Sequence, residues 1–208
     1  MNSNDYWIIS NEFTIIFKPK FNKLIYFNEK IIIQKIIFSN YYDYNKSINT
    51  YDNENLPIYK PYIEISSKKK NLFNCTVDNL PQKLKYLIFG YSFNNLVDNL
   101  PLELEYLSFD DNFNQCVNNL PQNIIKIVFG KLFDQLLNDL PYRIEHIVLG
   151  CNYQKELISL PPNLKNIICC VEYVYNSKLS DYDLELYPRP ISNIKLNFNH
   201  PIKQFVWI

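Results

Sequence analysis

The chain has 208 residues, is 47% hydrophobic and 16% aromatic, and balances 21 Lys+Arg against 21 Asp+Glu. That balance argues against a nucleic-acid partner, which calls for a basic excess to neutralise phosphates. No apolar run approaches the roughly 18 residues of a membrane span, and the opening MNSNDYWIISNEF lacks the basic start and apolar core of a signal peptide, so a soluble, cytoplasmic protein is expected.

In chain order, the first strand-like unit is Phe13 to Ile25, FTIIFKPKFNKLI, followed by Ile33 to Tyr42, IQKIIFSNYY. Leu56-Pro57 with Ile63 and Ile65 reads as a third, irregular unit. The basic run Lys68-Lys69-Lys70 that follows reads as a solvated loop, since charge runs are usually exposed. Residues 1–71 are thus expected to form an N-terminal region of about three degenerate coils.

From there the chain repeats. Leu-Pro recurs at Leu80-Pro81, Leu100-Pro101, Leu120-Pro121, Leu140-Pro141 and Leu160-Pro161, 20 residues apart each time. The columns Leu84, Leu104, Ile124, Ile144, Leu164 and Leu87, Leu107, Ile127, Ile147, Ile167 keep the same phase, as do Phe89, Phe109, Phe129, Leu149 and Cys169. An aromatic column, Phe73, Phe93, Phe113, Phe133 and Tyr153, runs beside a polar one, Asn74, Asn94, Asn114, Asp134 and Gln154. A fixed period of 20 is the signature of a solenoid at the short end of the leucine-rich-repeat range. Each unit reads as a strand, L-x-x-L-x-F, a turn, a return arm bearing F-N, and a Leu-Pro corner. Proline suits the corner because it cannot donate to a sheet ladder. Strands are expected at Leu84–Phe89, Leu104–Phe109, Ile124–Phe129, Ile144–Leu149 and Leu164–Cys169. Adjacent coils must stack to share one core, and the Asn column can pair backbone groups that the tight coil leaves over.

All three glycines, Gly90, Gly130 and Gly150, fall in one column just after the strand, and Asp110 fills the fourth place in it. Positive φ is the expected reason, because Gly and, less readily, Asp tolerate it. The fold expected is a β-rich solenoid, a leucine-rich-repeat-like stack of about eight short coils with one parallel sheet. Its regular part spans residues 72–170.

The tail, 171–208, follows the last regular strand. Ile194-Lys195-Leu196-Asn197-Phe198 alternates like a half-buried strand, Asn199-His200-Pro201 reads as a turn, and Phe205-Val206-Trp207-Ile208 is apolar. A β-hairpin-like cap over the edge of the last coil is expected, since an open strand edge invites aggregation.

Chemistry for catalysis is missing from this pattern. There is no Gly-rich phosphate loop, G-x-S-x-G or H-E-x-x-H, and no catalytic residue, cofactor site or metal site is expected. The five cysteines, Cys75, Cys116, Cys151, Cys169 and Cys170, show no C-x-x-C spacing and do not cluster with His146 or His200. Side chains alternate along a strand, so Tyr86, Tyr106, Lys126, His146 and Asn166 should form one outward row. Ile88, Ser108, Val128, Val148 and Ile168 should form the next. An open face of this composition suits a protein partner. The expected binding residues are Tyr86, Ile88, Tyr106, Ser108, Lys126, Val128, His146 and Val148.

Segments such as NLPQKLKYLIFGYSFNNLVDNLP resemble the FNIP repeat, a leucine-rich-repeat variant abundant in social amoebae and in giant viruses that infect amoebae. The chain contains no alanine and only Arg143 and Arg189 as arginines, which fits the AT-rich coding of such genomes. The resemblance implies a non-enzymatic protein–protein interaction scaffold. Many members carry an F-box, which implies a role in the host ubiquitin pathway, but here the repeat pattern starts near Phe13, so no F-box is expected before it. LNFNHPIKQFVW, Leu196 to Trp207, resembles a motif of large DNA virus major capsid proteins, and Cys170 to Tyr175 echoes the same proteins more weakly. That implies an alternative role, a virion-associated structural protein in contact with capsid.

Overall fold

The computed structural model describes residues 5–9, 13–27, 32–40 and 70–169, together with the backbone of 172–173, 188–189 and 204–207. One nine-stranded sheet carries the fold. Its strands in spatial order are β1 (Tyr6–Ile9), β2 (Thr14–Phe17), β3 (Lys35–Phe38), β4 (Tyr86–Ile88), β5 (Tyr106–Ser108), β6 (Lys126–Val128), β7 (His146–Leu149), β8 (Asn166–Cys169) and β11 (Gln204–Trp207). From β2 to β8 every neighbour is parallel and in register, Leu87 opposite Leu107, Leu107 opposite Ile127, Ile127 opposite Ile147. Two short strands, β9 (Glu172–Tyr173) and β10 (Pro188–Arg189), pair separately. This is the parallel leucine-rich-repeat-like solenoid that the 20-residue period predicts.

The strands are shorter than the motif suggested. The N–H of Leu84 donates to the Pro81 carbonyl at 3.0 Å, and the same bond recurs at Leu104, Ile124, Ile144 and Leu164. The first Leu of each motif therefore sits in a turn set by the Leu-Pro corner, not in the strand. The chain joins the ladder only afterwards, where Lys85 and Tyr86 both donate to the Gln34 carbonyl. A second turn closes each strand: Phe93 N–H reaches Gly90 O, and Phe113, Phe133 and Tyr153 repeat the bond.

Between sheet and return arm lies one continuous core. Phe17, Phe38, Phe89, Phe109 and Phe129 stack along the solenoid, and Phe21, Phe73, Phe93, Phe113, Phe133 and Tyr153 stack beside them, all at most 2% exposed. Within a coil the two rings lie face to face, 3.6 Å apart for Phe109–Phe113 and 3.7 Å for Phe89–Phe93. Between coils the spacing is 5.5 Å for Phe89–Phe109 and 6.1 Å for Phe93–Phe113. Stacking adds about 0.5–1.5 kcal/mol per pair to what the buried area supplies.

The polar column forms the expected ladder, but on the outside of the coil. Each side-chain oxygen accepts the backbone N–H one coil on: Asn94 N–H to Asn74 Oδ1 at 2.8 Å, Asn114 to Asn94 at 2.9 Å, Asp134 to Asn114 at 2.9 Å, Gln154 to Asp134 at 2.8 Å. The adjacent column adds a second donor to the same oxygens, from the amides of Asn95, Gln115 and Gln135. Only the acceptor is used, which is why Asp134 can stand in the Asn column. There the next-column donor is Lys155, whose ammonium lies 3.2 Å from the Asp134 carboxylate.

Two expectations need correction, and each end of the sheet carries a strand beyond the regular coils. None of the three glycines has positive φ. They are required by close approach: a Cβ on Gly150 would run into the Gly130 carbonyl, one on Gly130 into the Asp110 carbonyl, and one on Gly90 into Asn71 and the Phe38 carbonyl. Second, the degenerate coils are fewer. β3 pairs directly with β4, Ile36 opposite Leu87, so no strand from the segment around Leu56-Pro57 enters the sheet between them; that segment lies outside the described residues. Phe17 and Phe21 are four residues apart, as are Phe89 and Phe93, but Phe38 and Phe73 are 35 apart, so 31 extra residues leave the second coil at its turn. The N-terminus adds β1 antiparallel, Ile8 opposite Ile15. At the other end β11 adds in parallel to β8, Phe205 opposite Ile167; the strand Ile194–Phe198 expected to pair with it in a hairpin lies outside the described residues.

Candidate interaction surface

The side chains that alternate with the core columns point to the other face of the sheet. That face was expected to be open, and half of it is not. Ile88, Ser108, Val128 and Val148 are at most 5% exposed, and Ile88, Val128 and Val148 form a second buried apolar cluster with Ile16, Ile37 and Tyr106. Parallel sheets are usually covered on both faces and read as near-continuous apolar strands. β2 (TIIF), β3 (KIIF) and β7 (HIVL) are of that kind. Exposed binding roles for Ile88, Tyr106, Ser108, Val128 and Val148 therefore do not hold, because their side chains do not reach water.

The other row keeps solvent contact at Tyr86, Lys126, His146 and Asn166. One position earlier in each coil lies a charged column, Lys85, Glu105, Glu145 and Lys165, interrupted only by Ile125. Lys85 Nζ donates to Glu105 at 2.8 Å and Lys165 Nζ to Glu145 at 2.5 Å. Glu105 beside it holds the Lys85 ammonium above its ordinary value. Exposed pairs of this kind add little stability; their effect is to fix the charges in a row. Glu145 also lies 3.9 Å from His146 Nε2, while Asn166 Nδ2 meets His146 Nδ1 at 3.1 Å. Tyr86 stacks obliquely on Tyr106, centroids 6.1 Å apart, with Lys35 Nζ 5.9 Å over its ring. The result is a strip five coils long, aromatic at one end and charged and polar at the other. Among the described residues no group of three His, Cys, Asp or Glu comes together as metal ligands would, and no helix is long and apolar enough to cross a membrane.

A solved structure described as that of CroV588, a circular leucine-rich-repeat protein, is similar to this chain: 26% identity over 50% of this chain, with a TM-score of 0.39. The chain covers 21% of that protein's length. No family profile matches, and no curated protein matches.

The sequence placed Tyr86, Lys126 and His146 correctly on one row. It missed the charged column, which was legible as Lys, Glu, Glu and Lys at multiples of 20. It also missed a polar cluster at the turn edge. There Asn40, Asn71 and Asp110, from three places in the sequence, come together, and the only signal was an Asp in a glycine column.

Proposed function

We propose that this chain is an FNIP-type leucine-rich-repeat scaffold that holds a partner protein through the strip formed by Tyr86, Lys126, His146 and Asn166 and the flanking charges. The observation that carries this reading is the strip itself. Its side chains are held in rows about 4.8 Å apart, half-buried, and presented by a stack whose main core they lie outside. Recognition residues set on rigid elements, with aromatic anchors next to fixed charges, are what protein interfaces use. The 20-residue register of Leu-Pro, L-x-x-L-x-F and F-N supports the FNIP assignment. Capsid docking through a free C-terminal peptide is the weaker reading, because Gln204–Trp207 is engaged along β8.

The test is differential capture from lysate of the protein's native cell, with the full chain and a K126E variant as baits. The proposal requires that at least one protein is lost from the variant while its melting temperature stays within about 2 °C, as for a surface change of at most about 0.5 kcal/mol. The same captured set on both baits would refute the strip as the binding surface.

A further inference from the structure

The return arms form the outer side of the solenoid, across the core from the sheet. In each regular coil one residue of the arm points out into water: Thr76, Leu96, Cys116, Leu136 and Glu156, 20 apart. Leu96 is 59% and Leu136 49% exposed, and the free thiol of Cys116 is exposed between them. The core does not need this column, because Val97, Val117 and Leu137, one position on, fill the interior. Leu24 extends it by one coil. Asn22 Oδ1 accepts Asn74 N–H at 3.0 Å, as each ladder oxygen serves the next coil, and Leu24 stands two residues beyond Asn22, half exposed.

Both flanks of this apolar stripe are polar and fixed. On one side the amides of Asn95, Gln115 and Gln135 are tied to the coil before them. On the other, Asp78 and Asp98 stand two residues beyond Thr76 and Leu96. Each Oδ1 accepts an amide of the next coil, from Asn99 at 2.9 Å and from Asn119 at 3.1 Å. The five arms, residues 72–79, 92–99, 112–119, 132–139 and 152–159, carry five carboxylates (Asp78, Asp98, Asp134, Asp139 and Glu156) against one cation, Lys155. Their net charge is −4 in a chain whose net charge is zero, and Lys155 is itself drawn to Asp134.

We propose that this acidic face, with its apolar stripe, docks a basic amphipathic helix of a partner protein. An exposed apolar patch rimmed by polar groups marks an interaction site, and flanks already held by hydrogen bonds lose little freedom on binding. The pitch selects a helix. Along this side the coils fan apart, with outer rings 6.0 Å between Phe73 and Phe93, 6.1 Å between Phe93 and Phe113 and 6.0 Å between Phe113 and Phe133. Residues four apart on a helix rise about 6 Å, so apolar side chains at that interval meet Leu96, Cys116 and Leu136 in step. A strand repeats at about 6.7 Å and finds no open ladder on an arm that presents side chains. Charge disfavours two other occupants: a second copy's arm face brings the same −4, and an anionic membrane surface repels it. The face is separate from the sheet-side strip, so the two can hold different partners.

The probe is a labelled synthetic peptide of about 18 residues, long enough as a helix to span the five regular coils. It has Leu at every fourth position, Lys on both flanks and Ala elsewhere; a control of the same composition scatters its Leu around the helix. In fluorescence anisotropy with the full chain, the patterned peptide should bind at least about tenfold tighter than the control. L96K/L136K should lose about tenfold, as for two central apolar contacts, with its melting temperature within about 2 °C of the wild type. D98N keeps the oxygen that serves Asn119, and should weaken binding at about 50 mM NaCl but not at about 300 mM, where the charge is screened. K126E, on the sheet side, should bind as the wild type does. In the unsubstituted chain the patterned peptide should slow maleimide labelling of Cys116 while the control leaves it unchanged. Equal affinity for the two peptides, unchanged binding by L96K/L136K, or no protection of Cys116 would overturn the proposal. So would a dimer in sedimentation, or adsorption to phosphatidylserine vesicles, that L96K/L136K abolishes, since either gives the stripe to another occupant.

Discussion

At the residue scale, the chain distinguishes positions that only bury apolar area from positions that require one geometry. Phe113 is fully buried between Phe93 and Phe133, with Phe109 against its face. Replacement by Ala should cost about 3–5 kcal/mol through the cavity left behind, read by denaturant unfolding; less than about 1 kcal/mol would mean that the ring stack closes over the gap. The Asn column predicts a finer distinction. Asn94 supplies only an acceptor, to Asn114 N–H and the Gln115 amide. Asn94→Asp should therefore leave stability within about 0.5 kcal/mol, whereas Asn94→Leu should lose about 1 kcal/mol for the unmade bonds. Equal effects from the two would show that the ladder does not depend on its oxygen.

At the element scale, two errors of sequence reading share one cause. A period of 20 fixes which residues face the same way, but not what lies against each face or how close neighbouring backbones come. Ile88, Val128 and Val148 were assigned outward correctly, and only the structure shows that outward is buried for them. The glycine column was found for a sound reason, its recurrence. Its cause is the carbonyl of the preceding coil rather than a left-handed turn. Val128→Asp should thus destabilise by about 3–5 kcal/mol, as an uncompensated buried charge does, while Lys126→Glu, two residues away on the same face, should leave the melting temperature nearly unchanged. If thermal unfolding of the two variants coincides, the second apolar cluster is not part of the core. Gly130→Ala should cost about 1–3 kcal/mol through overpacking against Asp110.

For the whole molecule, the five regular coils and their core were legible because each repeats the same solution five times, so chance agreement in one column is corrected by the others. The ends were not legible for the same reason. β1, the interruption after Asn40 and β11 each occur once and have no second copy to expose their phase. The central claim is that the coils stack in one register through the interruption, with β3 lying against β4 although 51 residues separate Lys35 from Tyr86. Backbone NOEs in the full chain test this most directly. The account predicts parallel-strand contacts at a separation of 20, as between Leu107 and Ile127, that continue without a gap to contacts between Ile36 and Leu87. Contacts from Ile63 or Ile65 to Ile36 on one side and to Leu87 on the other, with none between Ile36 and Leu87, would contradict it.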